Sequence, residues 1–177
     1  MTGIIENMKK DKTSLKEKIL QELKASADRD YQKAKEALES SQTYANDEEL
    51  HSEGKYDTRS IEAGQLANGQ RKRVHELEQT VALLDDIDIT HTPSEVSVGS
   101  LLEIETEKLK RLYFISSTVG GTVLNIENDP ILIISAFSPL ASGAIGLQTG
   151  ESFEVETPSK LRTYEIVSIW ESLPNKC

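Results

Sequence analysis

Apolar residues recur every three or four positions along the first half of this 177-residue chain, and that spacing admits little besides packed helices. From Ser14 onward Leu20, Leu23, Ala27, Tyr31, Ala34, Leu38 and Ala45 fall on one stripe, with Ser41 as its polar member. The segment Ser14-Leu15-Lys16-Glu17 has the form of a capping box, so a helix is expected from about Leu15 to Ala45. A helix of that span is roughly 45 Å long. The stripe resumes as Ala63, Leu66, Gln70, Val74, Leu77, Val81 and Leu84, with Asp57 or Thr58 placed to cap the second helix. Gly64 and Gly69 lie inside it, where each costs about 1 kcal/mol relative to alanine; close approach of the partner helix is the expected offset. A helix apolar on one narrow stripe is not stable alone. Residues 1–85 are therefore expected to form an antiparallel coiled-coil hairpin.

The hairpin's far end, near 46–57, is crowded with carboxylates: Asp47, Glu48, Glu49 and Glu53. On their own these acids fit a solvated loop that offsets the dipole at the second helix's N-terminus. The dense basic cluster is Gln70-Arg71-Lys72-Arg73, followed by His75. Arg71, Lys72 and Arg73 suit either a local phosphate-binding patch or a solvated face paired with Glu17, Glu22, Glu76 and Glu78. His51, His75 and His91 lack ligand spacing, so no metal site of the protein's own is expected.

After Pro93 and Gly99 the pattern changes. The runs SLLEIETE, KRLYFISS, PILIISAF, ESFEVET and RTYEIVSIW are short, rich in β-branched or aromatic residues, and largely alternating, which predicts strands. Between the third and fourth, Ser138 is placed to cap, Pro139 to open a short helix, and Gly146 or Gly150 to end it. Trp170, Phe153, Tyr164 and Phe137 are expected in the core, and the Gly pair of TVGGTVLNIENDP is expected in a strand turn. The fold class is α+β: a helical hairpin over 1–85, a linker over 86–97, and over 98–177 a twisted, mostly antiparallel sheet with one short helix.

Hydrophobic residues make up 37% of the chain and aromatic ones 5%, too few for one large core. The net charge of −10 disfavours duplex DNA, and no sequence-specific DNA contact is expected. The only cysteine, Cys177, excludes an internal disulfide. No apolar leader or membrane-spanning run is present, so a cytoplasmic protein is expected.

The residues Ser138-Pro139, Ile145-Gly146, Gly150-Glu151, Val155-Glu156-Thr157-Pro158 and Tyr164-Glu165-Ile166, with Val98-Gly99-Ser100 before them, resemble the C-terminal domain of the bacterial Gre family of transcript cleavage factors. That resemblance implies an FKBP-like domain that docks on core RNA polymerase through Ser138, Pro139, Leu140, Ile145 and Gly146. It implies that the hairpin threads the secondary channel, that Arg71, Lys72 and Arg73 face the nascent RNA 3′ end, and that the tip acids bear on the polymerase's catalytic Mg²⁺. The factor itself would be no enzyme, with no catalytic residue and no cofactor beyond that shared Mg²⁺. The family's cleavage-competent tip reads Asp-Leu-x-Glu-Asn-x-Glu-Tyr. Anchored without a gap on Leu50 and Tyr56, this chain has Glu49 for the first acid, Ser52 for the second, Glu53 for the Asn and Lys55 for the later Glu, whereas sliding the register by one residue puts Glu53 in the second acid's place with a different loop length. A cleavage stimulator, a non-cleaving channel occupant that competes with Gre factors, and a generic coiled-coil adaptor are the three functions to separate.

Overall fold

The computed structural model describes residues 2–51, 58–90, 94–126 and 129–170. Two long helices, α1 (Thr2–His51) and α2 (Thr58–Asp85), precede six strands: β1 (Leu101–Thr106), β2 (Leu109–Ser116), β3 (Thr122–Ile126), β4 (Asp129–Ser135), β5 (Ser152–Glu156) and β6 (Leu161–Ile169). A single-turn helix, α3 (Pro139–Ala144), lies between β4 and β5. The α+β class stands as expected. By contacts the chain divides into two compact units, Met1–Glu22 with Leu83–Cys177, and Leu23–Ala82.

In the second unit Leu23, Ala27, Ala34 and Ser41 of α1 are buried, as are Ala63, Ala67 and Leu77 of α2. Only six residues join the helices, so two segments this long can share one seam only by running antiparallel. Several local expectations change. Helix α1 begins at Thr2, so Ser14 lies within it and does not start it. It also runs past Ala45 to His51. Leu66 is 51% exposed and Ala67 takes its place in the seam. Helix α2 starts at Thr58, while Asp57 lies outside the described residues. A Cβ on Gly64 or Gly69 would meet nothing within 4 Å, so no close approach offsets these glycines.

The first unit is built on a sheet in the order β3-β4-β2-β1-β6-β5, antiparallel throughout except for the parallel pair β2 and β4. One face carries Leu102, Ile104, Tyr113, Ile115 and Ile166 against α3's Ala141 and Ala144. Strand alternation puts Leu101, Phe114, Ile131 and Ile133 on the other face, each at most 1% exposed. Within this unit, the covering apolar residues are those of the helix ends: Leu15, Ile19 and Leu20 of α1, Leu84 of α2, and Ile87 beyond it. The Ser117 hydroxyl donates to the Leu83 carbonyl at 3.1 Å, tying the end of α2 to the end of β2. Within the stretch expected as a linker, Ile87 and Val96 are buried at 8% and 2% exposure. Gly99, with φ +85°, lets the chain pass the Asp88 carbonyl, which a Cβ would approach to 2.9 Å.

The Gly120-Gly121 pair leads into β3, a strand in place of the expected turn, whose sequence Thr-Val-Leu-Asn-Ile lacks a clear apolar alternation. At the β1–β2 turn Glu107 and Lys108 both adopt positive φ, and Lys160 of the β5–β6 turn pairs with Glu107, holding its carboxyl below the usual range. No helix is long and apolar enough to cross a membrane among the described residues.

Candidate functional site

The corner between β4 and β5 is rigid for reasons visible residue by residue. Pro139 cannot donate a backbone hydrogen bond and sits at the start of α3, where none is needed. Ser138, extended at φ −72° and ψ 149°, accepts from the Ala141 N–H through its hydroxyl at 3.3 Å. The Ser138 N–H reaches the Ser135 carbonyl at 2.9 Å, and the Ser135 hydroxyl accepts from the Phe137 N–H at 3.3 Å. At the other end Ile145 caps α3, and Gly146, φ +86°, donates to the Val96 carbonyl at 2.9 Å. Underneath, Gly143 lies so close to Phe153 that a Cβ would come within 2.6 Å of the ring. Phe153 in turn stacks on Tyr164, 5.5 Å between centroids.

The expected docking residues are all on this corner. Pro139 and Gly146 are exposed, Ile145 is 41% exposed, and Ser138 and Leu140 are half-buried. Ser138 spends its hydroxyl on the cap, so its role is to shape the corner. Phe137, expected in the core, is 82% exposed and is the most exposed large apolar side chain of the described residues. The reason is local. Phe137 precedes the cap residue, a position whose apolar side chain normally packs on the fourth residue of the helix. Here that residue is Ser142, whose hydroxyl turns to the Ala136 carbonyl at 3.4 Å. Serine at 142 was the sequence signal that Phe137 would find no partner.

Arg71, Lys72 and Arg73 are exposed on α2. Arg71 donates to the Asn68 side chain at 2.6 Å, and Lys72 and Arg73 lie 4.0 and 3.8 Å from Glu76. His75 is 3.7 Å from Glu78. Exposed pairs of this kind are worth less than about 1 kcal/mol and exchange readily. The tip is only partly described. Asp47, Glu48 and Glu49 belong to the last turns of α1, their side chains outside the described residues, and Glu53 lies outside them altogether. Acids at a helix C-terminus meet the negative end of the dipole, so that placement costs α1 stability. No group of three or more metal-ligating side chains occurs among the described residues.

Residues 91–171, just under half the chain, match the family described as transcription elongation factor GreA/GreB, C-terminal. Those residues are similar to the C-terminal domain of the GreA/GreB factors. The chain is 36% identical over 100 residues to the transcription elongation factor GreA of Cereibacter sphaeroides, covering 55% of this chain and 60% of that protein. It is 35% identical over 101 residues to that of Mesorhizobium japonicum, with the same coverage. The chain thus spans about three fifths of the length of the curated relatives it matches. The solved structure of Thermus aquaticus Gfh1 aligns with a TM-score of 0.37 at 19% identity, covering 82% of this chain and 92% of that one.

Proposed function

We propose that this chain is a Gre-like regulator of transcription elongation that binds core RNA polymerase through the α3 corner and places its helical hairpin in the secondary channel. The observation that carries the reading is the GreA/GreB match over residues 91–171, which contains the whole corner. Phe137, Pro139 and Ile145 supply the exposed apolar anchors that dominate such contacts. The hairpin brings Asp47, Glu48, Glu49 and Glu53 toward the polymerase's Mg²⁺, and Arg71, Lys72 and Arg73 toward the RNA 3′ end. The protein has no reaction of its own in this scheme.

The tip favours occupation over cleavage. Ser52 and Lys55 stand where the cleavage motif has acids. Holding a hard cation for phosphodiester hydrolysis needs that negative charge. The test combines a pull-down on core polymerase with a cleavage assay on a backtracked complex containing Mg²⁺. The expected result is binding, weakened about tenfold by Phe137→Ala, competition with a cleavage-active Gre factor, and intact RNA. RNA shortening that is abolished by Glu49→Gln with Glu53→Gln would make the chain a cleavage stimulator. A lack of affinity for core polymerase would leave a generic adaptor and end both polymerase readings.

A further inference from the structure

The two edges of the sheet are treated differently. Strand β5 carries Glu154 and Glu156, with Glu151 just before it, on a chain of net charge −10. Such charges discourage pairing with another chain. Strand β3, at the opposite edge, reads Thr-Val-Leu-Asn-Ile: no charge, no proline, two β-branched apolar residues.

The register with β4 decides which backbone groups of β3 are free. Asn125 lies opposite Pro130, which has no N–H. That pair therefore cannot exchange hydrogen bonds, and the bonded pairs must be Thr122, Leu124 and Ile126 with Ile133, Ile131 and Asp129. The N–H and C=O groups of Val123 and Asn125 consequently point away from the sheet, and no described strand meets them. Two cavities flank this edge. One is lined by Leu124, Asn125 and Ile126 with Lys18, Gln21 and Glu22 of α1. The other is lined by Val123, which is 52% exposed, with Leu132, Pro130, Arg111 and Asp129. An open edge with a recess for alternate side chains on either hand is the anatomy of strand addition.

We infer that β3 is a docking edge for an extended, uncharged, β-branched segment of another protein, which adds to the sheet as a seventh strand through Val123 and Asn125. The charges around it select that chemistry. One recess is lined by Lys18 with Glu22, the other by Lys110 and Arg111 with Glu103 and Asp129, so each rim carries balanced charge and neither rewards a charged side chain of one sign. A second copy of the chain is the poorer occupant. Two copies would each bring a net charge of −10 to the contact and repel. This edge is separate from the α3 corner, and the inference stands whether or not the polymerase reading does.

The probe is a capped synthetic hexapeptide of alternating threonine and valine, titrated into the full chain and followed by amide NMR and hydrogen exchange. The expected result is chemical-shift change and slowed exchange at Val123 and Asn125. Val123→Pro removes an outward donor but no bond to β4, and should weaken binding about tenfold. Val123→Lys leaves the ladder intact and should weaken binding as well, which covers a proline variant that fails to fold. A peptide with glutamate in place of threonine should bind less tightly. Shift changes confined to other residues, no change at millimolar peptide, or a concentration-dependent dimer in sedimentation that Val123→Lys dissociates would each overturn the inference.

Discussion

The sheet unit and the hairpin unit bury their apolar residues in different ways. The sheet closes over Phe114, Leu101, Leu102, Ile104, Ile115, Ile131, Ile133 and Ile166, all at most 1% exposed. The hairpin's buried seam between Leu23 and Ala82 consists of Leu23, Leu77, four alanines and one serine, while Tyr31, Leu38 and Val74 stay half-buried. Apolar stabilisation scales with the area removed from water, about 25 cal/mol per Å². The hairpin therefore gains less per residue from burial, and helix propensity carries a larger share of its stability. In the sheet unit packing decides; in the hairpin the backbone does.

The sharpest test of that contrast is Phe114→Ala. It should cost the sheet unit about 3–5 kcal/mol, read as a shift in urea midpoint by Trp170 fluorescence. A hairpin alanine replaced by glycine, such as Ala34→Gly, should cost only about 1 kcal/mol, and equal costs would break the comparison. Lys16 offers a smaller effect. It is 2% exposed among the helix ends that cover the sheet, and burial holds its ammonium below the ordinary lysine value of 10.5. The unfolded chain then binds this proton more tightly than the folded one, so the native state is penalised at neutral pH. The penalty fades as pH rises from the folded value toward 10.5. Lys16→Met should accordingly raise stability at pH 7 by about 1.4 kcal/mol for each unit of depression, and the gain should vanish in melts at strongly alkaline pH. The smallest effect is Gly69→Ala. With nothing within 4 Å of the new methyl group, it should stabilise the hairpin by about 1 kcal/mol in a thermal melt.

What could be read beforehand was local. Ser138 and Pro139 announce a helix start because cap and missing donor act within one turn, and the structure places both as expected. The seam is legible as a stripe, but its spacing favours Leu66, the larger apolar residue, where Ala67 is the one buried. Non-local facts were out of reach. Nothing in β2 or β4 announces that they pair in parallel, and nothing in Leu15, Ile19 or Leu84 says that the surface they meet is a sheet. Of the site, the α3 corner could be located. The exposure of Phe137 was encoded in Ser142, which no periodicity test weighs. The tip acids were conspicuous in composition alone.

Because the face of the sheet bearing Phe114 is covered by Leu15 and Ile19, early in the chain, and is built from strands as late as β4, synthesis order matters. A growing chain on the ribosome can zip Leu23–Ala82 together early, since those contacts need nothing that follows. Leu15 and Ile19 must wait, unshielded, until Asp129–Ser135 emerges. The interval between those two events is when this protein is most in need of a chaperone.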